Sequence, residues 1–173
     1  MKRIKIKSRL LPALFISLLV ASGGTAYSLQ NRAAVQTGAP AIKVNLSGTV
    51  ARPSGNVAIE KAGSVNPGEV INYTIISNNE GSGSARDYKT TGPIPPRTIY
   101  VGGSAKAEGA SAVYSIDRGK SYLSTPMIDE RQADGSFKRV PAPLSMYTNV
   151  RFEWSNPLVA ASHTTASYQV RVK

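Results

Sequence analysis

Residues 65–101 read VNPGEVINYTIISNNEGSGSARDYKTTGPIPPRTIYV, and the fold is decided in this stretch. Asn66-Pro67-Gly68 is a turn, after which Ile71, Tyr73 and Ile75 alternate with Asn72, Thr74 and Ser77. A Gly/Ser turn at residues 81–84, a second polar strand and a proline-rich corner follow. A period of two buries one face of a strand and leaves the other in water, which antiparallel sheets permit and fully buried parallel sheets do not. The expectation is an all-β protein.

The same rhythm extends outward in both directions. Upstream, Ile42, Val44 and Leu46 alternate with Lys43, Asn45 and Ser47, predicting a first strand that ends near Gly48, then a turn at residues 52–56 and a short run at 57–61. Pro93, Pro95 and Pro96 lack the N–H that a sheet ladder needs, which puts them at an edge or a crossover before extended chain resumes at 98–101. Downstream, Ala112, Tyr114 and Ile116 alternate with polar neighbours, residues 117–120 turn, and Asp134-Gly135 is a tight hairpin signal. In residues 148–154, Val150, Phe152 and Trp154 share a face; in 165–173, Ala166, Tyr168, Val170 and Val172 do. Arg151, Glu153, Gln169, Arg171 and Lys173 fall opposite. No 3.6-residue pattern appears. About eight to ten short strands between turns predict an immunoglobulin-like antiparallel β-sandwich, with Tyr73 and Trp154 at the centre of its core.

The chain has 173 residues, 41% of them apolar, enough for one domain with a real core. Its formal charge of +11 points to a polyanion partner only until it is divided along the chain. Lys2, Arg3, Lys5, Lys7 and Arg9 crowd the first nine residues; without them sixteen basic residues face ten acidic ones, leaving +6, scattered singly. That distribution excludes a nucleic-acid patch. The five charges precede an apolar run at residues 10–21 and the small residues Ser22, Gly23, Gly24 and Ala26, the order of a secretory signal peptide with cleavage after Ala26 or Gly23. The alternative is an uncleaved anchor, although about 12 apolar residues interrupted by Pro12 fall short of a bilayer span. The organisation expected is therefore a signal peptide at 1–26, a flexible spacer at 27–40 and a β-sandwich domain at 41–173. The protein is expected outside the cytoplasm: extracellular, periplasmic or at the cell surface. There is no cysteine, so neither a lipid anchor on sulfur nor a disulfide supports it.

Chemistry-bearing patterns are scarce. His163 is the single histidine, and no nucleophile elbow surrounds a serine, so a Ser-His-Asp reading has no motif behind it. Asp129, Glu130, Asp117 and Asp134 offer oxygens for calcium, but none is spaced as a calcium loop and aspartates in turns bond their own backbone. No catalytic, cofactor-binding or metal residue is assigned. Tyr73, Tyr114 and Tyr168 read as inward; Tyr88, Tyr122 and Tyr147 are less clearly so and are candidates for stacking on sugars or partner proteins.

One family resemblance emerges. Asn66-Pro67-Gly68-Glu69, then Ile71-Asn72-Tyr73-Thr74-Ile75, Asn78-Asn79-Glu80-Gly81-Ser82, Pro93-Ile94-Pro95 and Tyr100-Val101-Gly102-Gly103-Ser104 resemble the DUF11 conserved repeat of bacterial envelope and extracellular proteins. Residues 114–120, 150–154 and 167–172 continue the likeness in order, so that it covers roughly 41–173. A single copy is present, and Thr91-Gly92 stands where an Asp is usual before the proline corner. The resemblance implies an immunoglobulin-like surface module without established catalytic residues. Function is then expected to be structural, adhesive or protein-binding, with an envelope or extracellular protein or polysaccharide as partner, no nucleic acid, and a membrane only through an uncleaved signal segment. The alternative is a small secreted hydrolase or carbohydrate-binding protein with a site built from loops. Residues 81–84 and 126–143 are the expected contact segments. Pro93, Pro95, Pro96, Arg151, Arg171 and Lys173 are expected to blunt the sheet edges, keeping the protein a monomer or weak oligomer.

Overall fold

Val70–Asn79 forms a ten-residue strand in which Ile71, Tyr73, Ile75, Ser77 and Asn79 are buried and the residues between them are not. Ser77 therefore lies on the core face; simple parity with Ile75 puts it there, and its polarity does not. The computed structural model describes residues 38–53 and 55–173. The signal peptide expected at 1–26 and spacer residues 27–37 lie outside them.

The described residues form eleven strands: β1 (Ile42–Arg52), β2 (Gly55–Ala58), β3 (Val70–Asn79), β4 (Lys89–Pro93), β5 (Thr98–Tyr100), β6 (Lys106–Ala107), β7 (Ala110–Ser115), β8 (Met127–Arg131), β9 (Phe137–Pro141), β10 (Asn149–Trp154) and β11 (His163–Val172). Helix among the described residues is confined to single 3-10 turns at Ile59–Lys61 and Leu144–Met146. The protein is all-β and its strand pairs are antiparallel. One sheet runs β2-β1-β3-β11-β5, with β6 also on β11; a second runs β4-β10-β7; β8 and β9 make a separate hairpin.

The last strand is thus central, between β3 and β5, and its register sets Tyr168 beside Tyr73 with ring centroids 5.3 Å apart. Val50, Ile71, Tyr73, Ile75, Ala166, Tyr168 and Val170 of the first sheet meet Val150 and Phe152 of the second in one buried cluster. Tyr168 reaches across and donates its hydroxyl to the Pro93 carbonyl at 2.6 Å.

Several expectations need correction. Trp154 is half-buried, since β10 ends there and β4 has already stopped opposite Glu153. Its ring lies beside Tyr88 at 5.4 Å, and its indole N–H donates to the Glu108 carbonyl at 3.0 Å. Val44 and Leu46 take core-side positions opposite Ser77 and Ile75 yet stay 52% and 42% exposed. Residues 127–141 are a hairpin rather than an unpatterned loop, with Asp129 opposite Arg139 and Glu130 opposite Lys138. Arg151 and Arg171 ride on the central strands β10 and β11, where they blunt no edge.

One end of the main sheet is tied by Asn79, which is 1% exposed. Its Oδ1 accepts from the backbone of Ala41 and Gly81, each at 3.1 Å. Its Nδ2 donates to the carbonyls of Gly83, Leu158 and Val159 at 2.7, 3.0 and 3.2 Å. Three segments converge on one amide: the lead-in to β1, the turn after β3 and the loop before β11. Gly81 and Gly83 make the approach possible, because a Cβ at either would fall within 2.3 Å of a carbonyl oxygen in the lead-in. The 81–84 turn is therefore occupied by the chain's own residues 38–41.

Candidate functional site

On the outer face of the main sheet the alternation that buries tyrosines inward turns hydroxyls and amides outward. Cross-strand rows there read Asn45-Ile76-Thr165, Ser47-Thr74-Ser167 and Thr49-Asn72-Gln169. The turn after β5 walls the last two rows. Gly103 holds φ +71 to close it, and Ser104 Oγ accepts the Gln169 N–H at 3.0 Å. The resulting groove has a volume of about 570 Å³. Its lining includes Thr49, Asn72, Thr74, Ser104, Ser167 and Gln169, one cation (Lys106) and no carboxylate.

Gln169 Nε2 donates to Asn72 Oδ1 at 2.7 Å, which orients both amides. Among the described residues, Asn72 Nδ2 and Gln169 Oε1 have no other partner, so a donor and an acceptor stand ready side by side. A ligand carrying adjacent hydroxyls matches that pair. The lining holds no histidine, cysteine or carboxylate.

A second groove, about 440 Å³, brings His163, Glu108 and Trp154 together with Ser162, Thr164 and Thr165. Ser162 Oγ already donates to the Val159 carbonyl at 2.7 Å, and Glu108 is the sole carboxylate in the lining. Among the described residues no three His, Asp or Glu side chains gather as a metal site would require.

Two of the aspartates singled out from sequence, Asp117 and Asp134, serve their own turns. Asp117 accepts from the Ser121 hydroxyl at 2.6 Å, the Ser121 N–H at 2.9 Å and the Ser115 hydroxyl at 2.7 Å. These bonds, the Ser121 hydroxyl foremost, hold its carboxyl well below the ordinary 3.8. Asp134 is lowered likewise by the hydroxyl and N–H of Ser136. A carboxylate depressed by folding stabilises the fold above its unfolded pKa and loses that contribution as pH falls through the folded value. Stability is therefore expected to decline on acidification below about pH 4. Asp117→Asn should flatten that part of the profile while leaving the remainder unchanged, as urea midpoints measured from pH 2 to 7 will reveal.

The tyrosines divide differently from expectation. Tyr147 is buried and stacks on Tyr100 at 5.8 Å, while Tyr114 is half-buried and its hydroxyl lies 3.1 Å from that of Tyr100. Burial raises the pKa of Tyr114, the Tyr100 hydrogen bond adding to it, and burial likewise raises Tyr147. Tyr122 lies under the Arg151 guanidinium, 3.8 Å from the ring centroid. Tyr88 packs on Trp154. Each of the three weighed for stacking on a ligand already packs against another side chain. The Asn72–Gln169 pair escaped sequence reading because its two members are 97 positions apart, and only their outward phase was legible.

No helix among the described residues is long and apolar enough to cross a membrane. Comparison with family models, with curated proteins and with solved structures gives no match to this chain.

Proposed function

We propose that this is an exported, non-catalytic module of the cell envelope or extracellular space, of the DUF11-like, immunoglobulin-like sandwich class, which works by contact. Two antiparallel sheets sharing one buried cluster support the sandwich part of the reading. Lettered A to G in chain order, the principal strands β1, β3, β4, β5, β7, β10 and β11 give sheets A-B-G-D and C-F-E. The immunoglobulin constant order is A-B-E-D and C-F-G, so the proposed class carries an exchange of E and G. The charged and apolar segments of the first 26 residues support export.

The observation that carries the contact function is the 570 Å³ groove, lined by hydroxyls and the paired amides of Asn72 and Gln169. Of the two partner classes, protein and polysaccharide, it favours a neutral polysaccharide, whose vicinal hydroxyls pair with a neighbouring donor and acceptor. Affinity electrophoresis of the purified chain in gels cast with neutral glucans or mannans tests this. Retardation is expected, and Asn72→Ala with Gln169→Ala should reduce it about 10-fold, the effect of losing two hydrogen bonds. Mobility unchanged by any neutral glycan, or retardation indifferent to both substitutions, overturns the glycan assignment. The reading as a hydrolase draws on the groove joining His163 and Glu108; glycoside or ester cleavage abolished by His163→Ala would establish it.

A further inference from the structure

β1 is paired along both edges only at its end. Its inner edge runs against β3 from Ile42 to Val50, whereas β2 covers its outer edge only from Thr49 to Arg52. Among the described residues nothing pairs with the outer edge of residues 42–48. That length is about 20 Å of strand with alternate N–H and C=O groups facing outward. Along the same length the core-side positions Val44 and Leu46 are about half exposed. An unpaired edge beside an uncovered apolar row is the geometry to which an added β-strand binds, its backbone completing the ladder and its alternate side chains covering the row.

The chain contains a segment of matching pattern. Residues 27–37 read YSLQNRAAVQT, in which Tyr27, Leu29, Ala33 and Val35 share one parity, interrupted by Asn31 and ended by Thr37, and Ser28, Gln30, Arg32 and Gln36 share the other with Ala34. Eleven extended residues span about 35 Å, longer than the open edge. Residues 38–41 continue the line of β1 past the end of β3, fixed by Glu80 N to Ala41 O at 2.8 Å, Gly83 N to Ala39 O at 3.3 Å and Ala41 N to Asn79 Oδ1 at 3.1 Å. Residue 38 thus lies beyond the start of β1, so a strand formed from the residues before it would have to reverse direction to reach the open edge of its own copy, whereas the edge of a neighbouring copy asks for no reversal.

We infer that residues 27–37 of one copy add as a strand to the open edge of β1 in the next copy, with Tyr27, Leu29, Ala33 and Val35 turned toward Val44 and Leu46. Such a contact joins two different surfaces, so it propagates head to tail and does not close on itself as a twofold dimer does. Lys43, the one charge on the open edge, points to the outer face and is paired with Glu80 at 3.8 Å, which leaves the apolar side unguarded. The inference is independent of what the outer face binds.

The absence of cysteine makes a crosslinking test clean. Single variants of the full chain, Leu29→Cys or Val35→Cys on one side and Leu46→Cys on the other, are mixed and oxidised. A heterodimer from at least one of these mixtures, with little from the opposite-parity variants Gln30→Cys and Gln36→Cys, is the expected result. Overturning results are the absence of any heterodimer, equal yields from both parities, a dimer of Leu46→Cys with itself in preference, or a bond formed only within one chain carrying both cysteines. Sedimentation provides a readout without crosslinks. Val44→Lys with Leu46→Lys, at sites already half in water, should weaken self-association at least 10-fold while the circular dichroism spectrum is preserved. Undiminished association in that variant, or a chain that never associates at high micromolar concentration, overturns the inference.

Discussion

Replacing Asn79 with alanine is expected to lower the unfolding free energy by about 3–5 kcal/mol, read as a fall in the urea midpoint at constant slope. The size follows from what is left behind. Its amide makes five hydrogen bonds, all to backbone groups of three different segments. Removing it leaves the Gly83 carbonyl and the N–H groups of Ala41 and Gly81 without their partner, while the Leu158 carbonyl keeps the Ala85 N–H at 2.9 Å; an unmet buried polar group costs about 1–3 kcal/mol. Asn79→Asp is the sharper variant, since it keeps the shape and discards both N–H donors; at neutral pH it also buries a charge, and it should cost at least as much as alanine. Losses below about 1 kcal/mol in both variants would mean that the three segments hold their places without the amide. Asn78, adjacent in sequence and half-buried on the other face, is the control and should change stability by no more than about 0.5 kcal/mol on truncation.

Asn79 also marks the limit of what the sequence discloses. Strand existence, phase and the all-β class were legible, because Ile71, Tyr73, Ile75, Val150, Phe152, Tyr168 and Val170 alternate with polar residues and each is buried. Alternation reports which side a residue faces, not whether anything lies over that side. Val44 and Leu46 have the right phase and only partial cover, and Trp154 has the right phase at the point where the neighbouring strand stops. Strand order was equally invisible. Nothing in residues 163–172 distinguishes a central strand from an edge, and the reading of Arg151 and Arg171 as edge guards failed for that reason. The hairpin at 127–141 was missed except for its Asp134-Gly135 turn, since Ile128 alone of its strand residues packs against the core cluster and one inward residue imposes no alternation. The outer-face groove depends on a contact between β3 and β11, so its hydroxyls and amides read in order as ordinary outward residues.

Gly92→Ala should destabilise the fold by about 3 kcal/mol, a cost at the upper end of overpacking by a single methyl group. The glycine is buried on β4, and a Cβ there would lie 2.3 Å from Tyr168 Cε1 and 2.7 Å from the tyrosine oxygen. Conformational freedom is not the issue, since Gly92 is not among the residues with positive φ. The space is taken by a ring that cannot retreat. Tyr168 is wholly buried, stacked on Tyr73 at 5.3 Å, and anchored by its hydroxyl to the carbonyl of Pro93, the next residue on β4. Burial raises its pKa, so the hydroxyl keeps its proton and the bond persists through the neutral range. A methyl at position 92 must therefore push β4 away from β11, breaking the bond and parting the two sheets where they meet. A double-mutant cycle separates this clash from any general intolerance of β4 to alanine. Tyr168→Leu alone is expected to cost about 2–4 kcal/mol through lost ring contacts and a lost hydrogen bond. In that background, Gly92→Ala should cost less than about 1 kcal/mol, because the atoms it collided with are gone. Equal costs for Gly92→Ala in both backgrounds would place the strain elsewhere in β4 and remove Tyr168 as the reason that the position is a glycine.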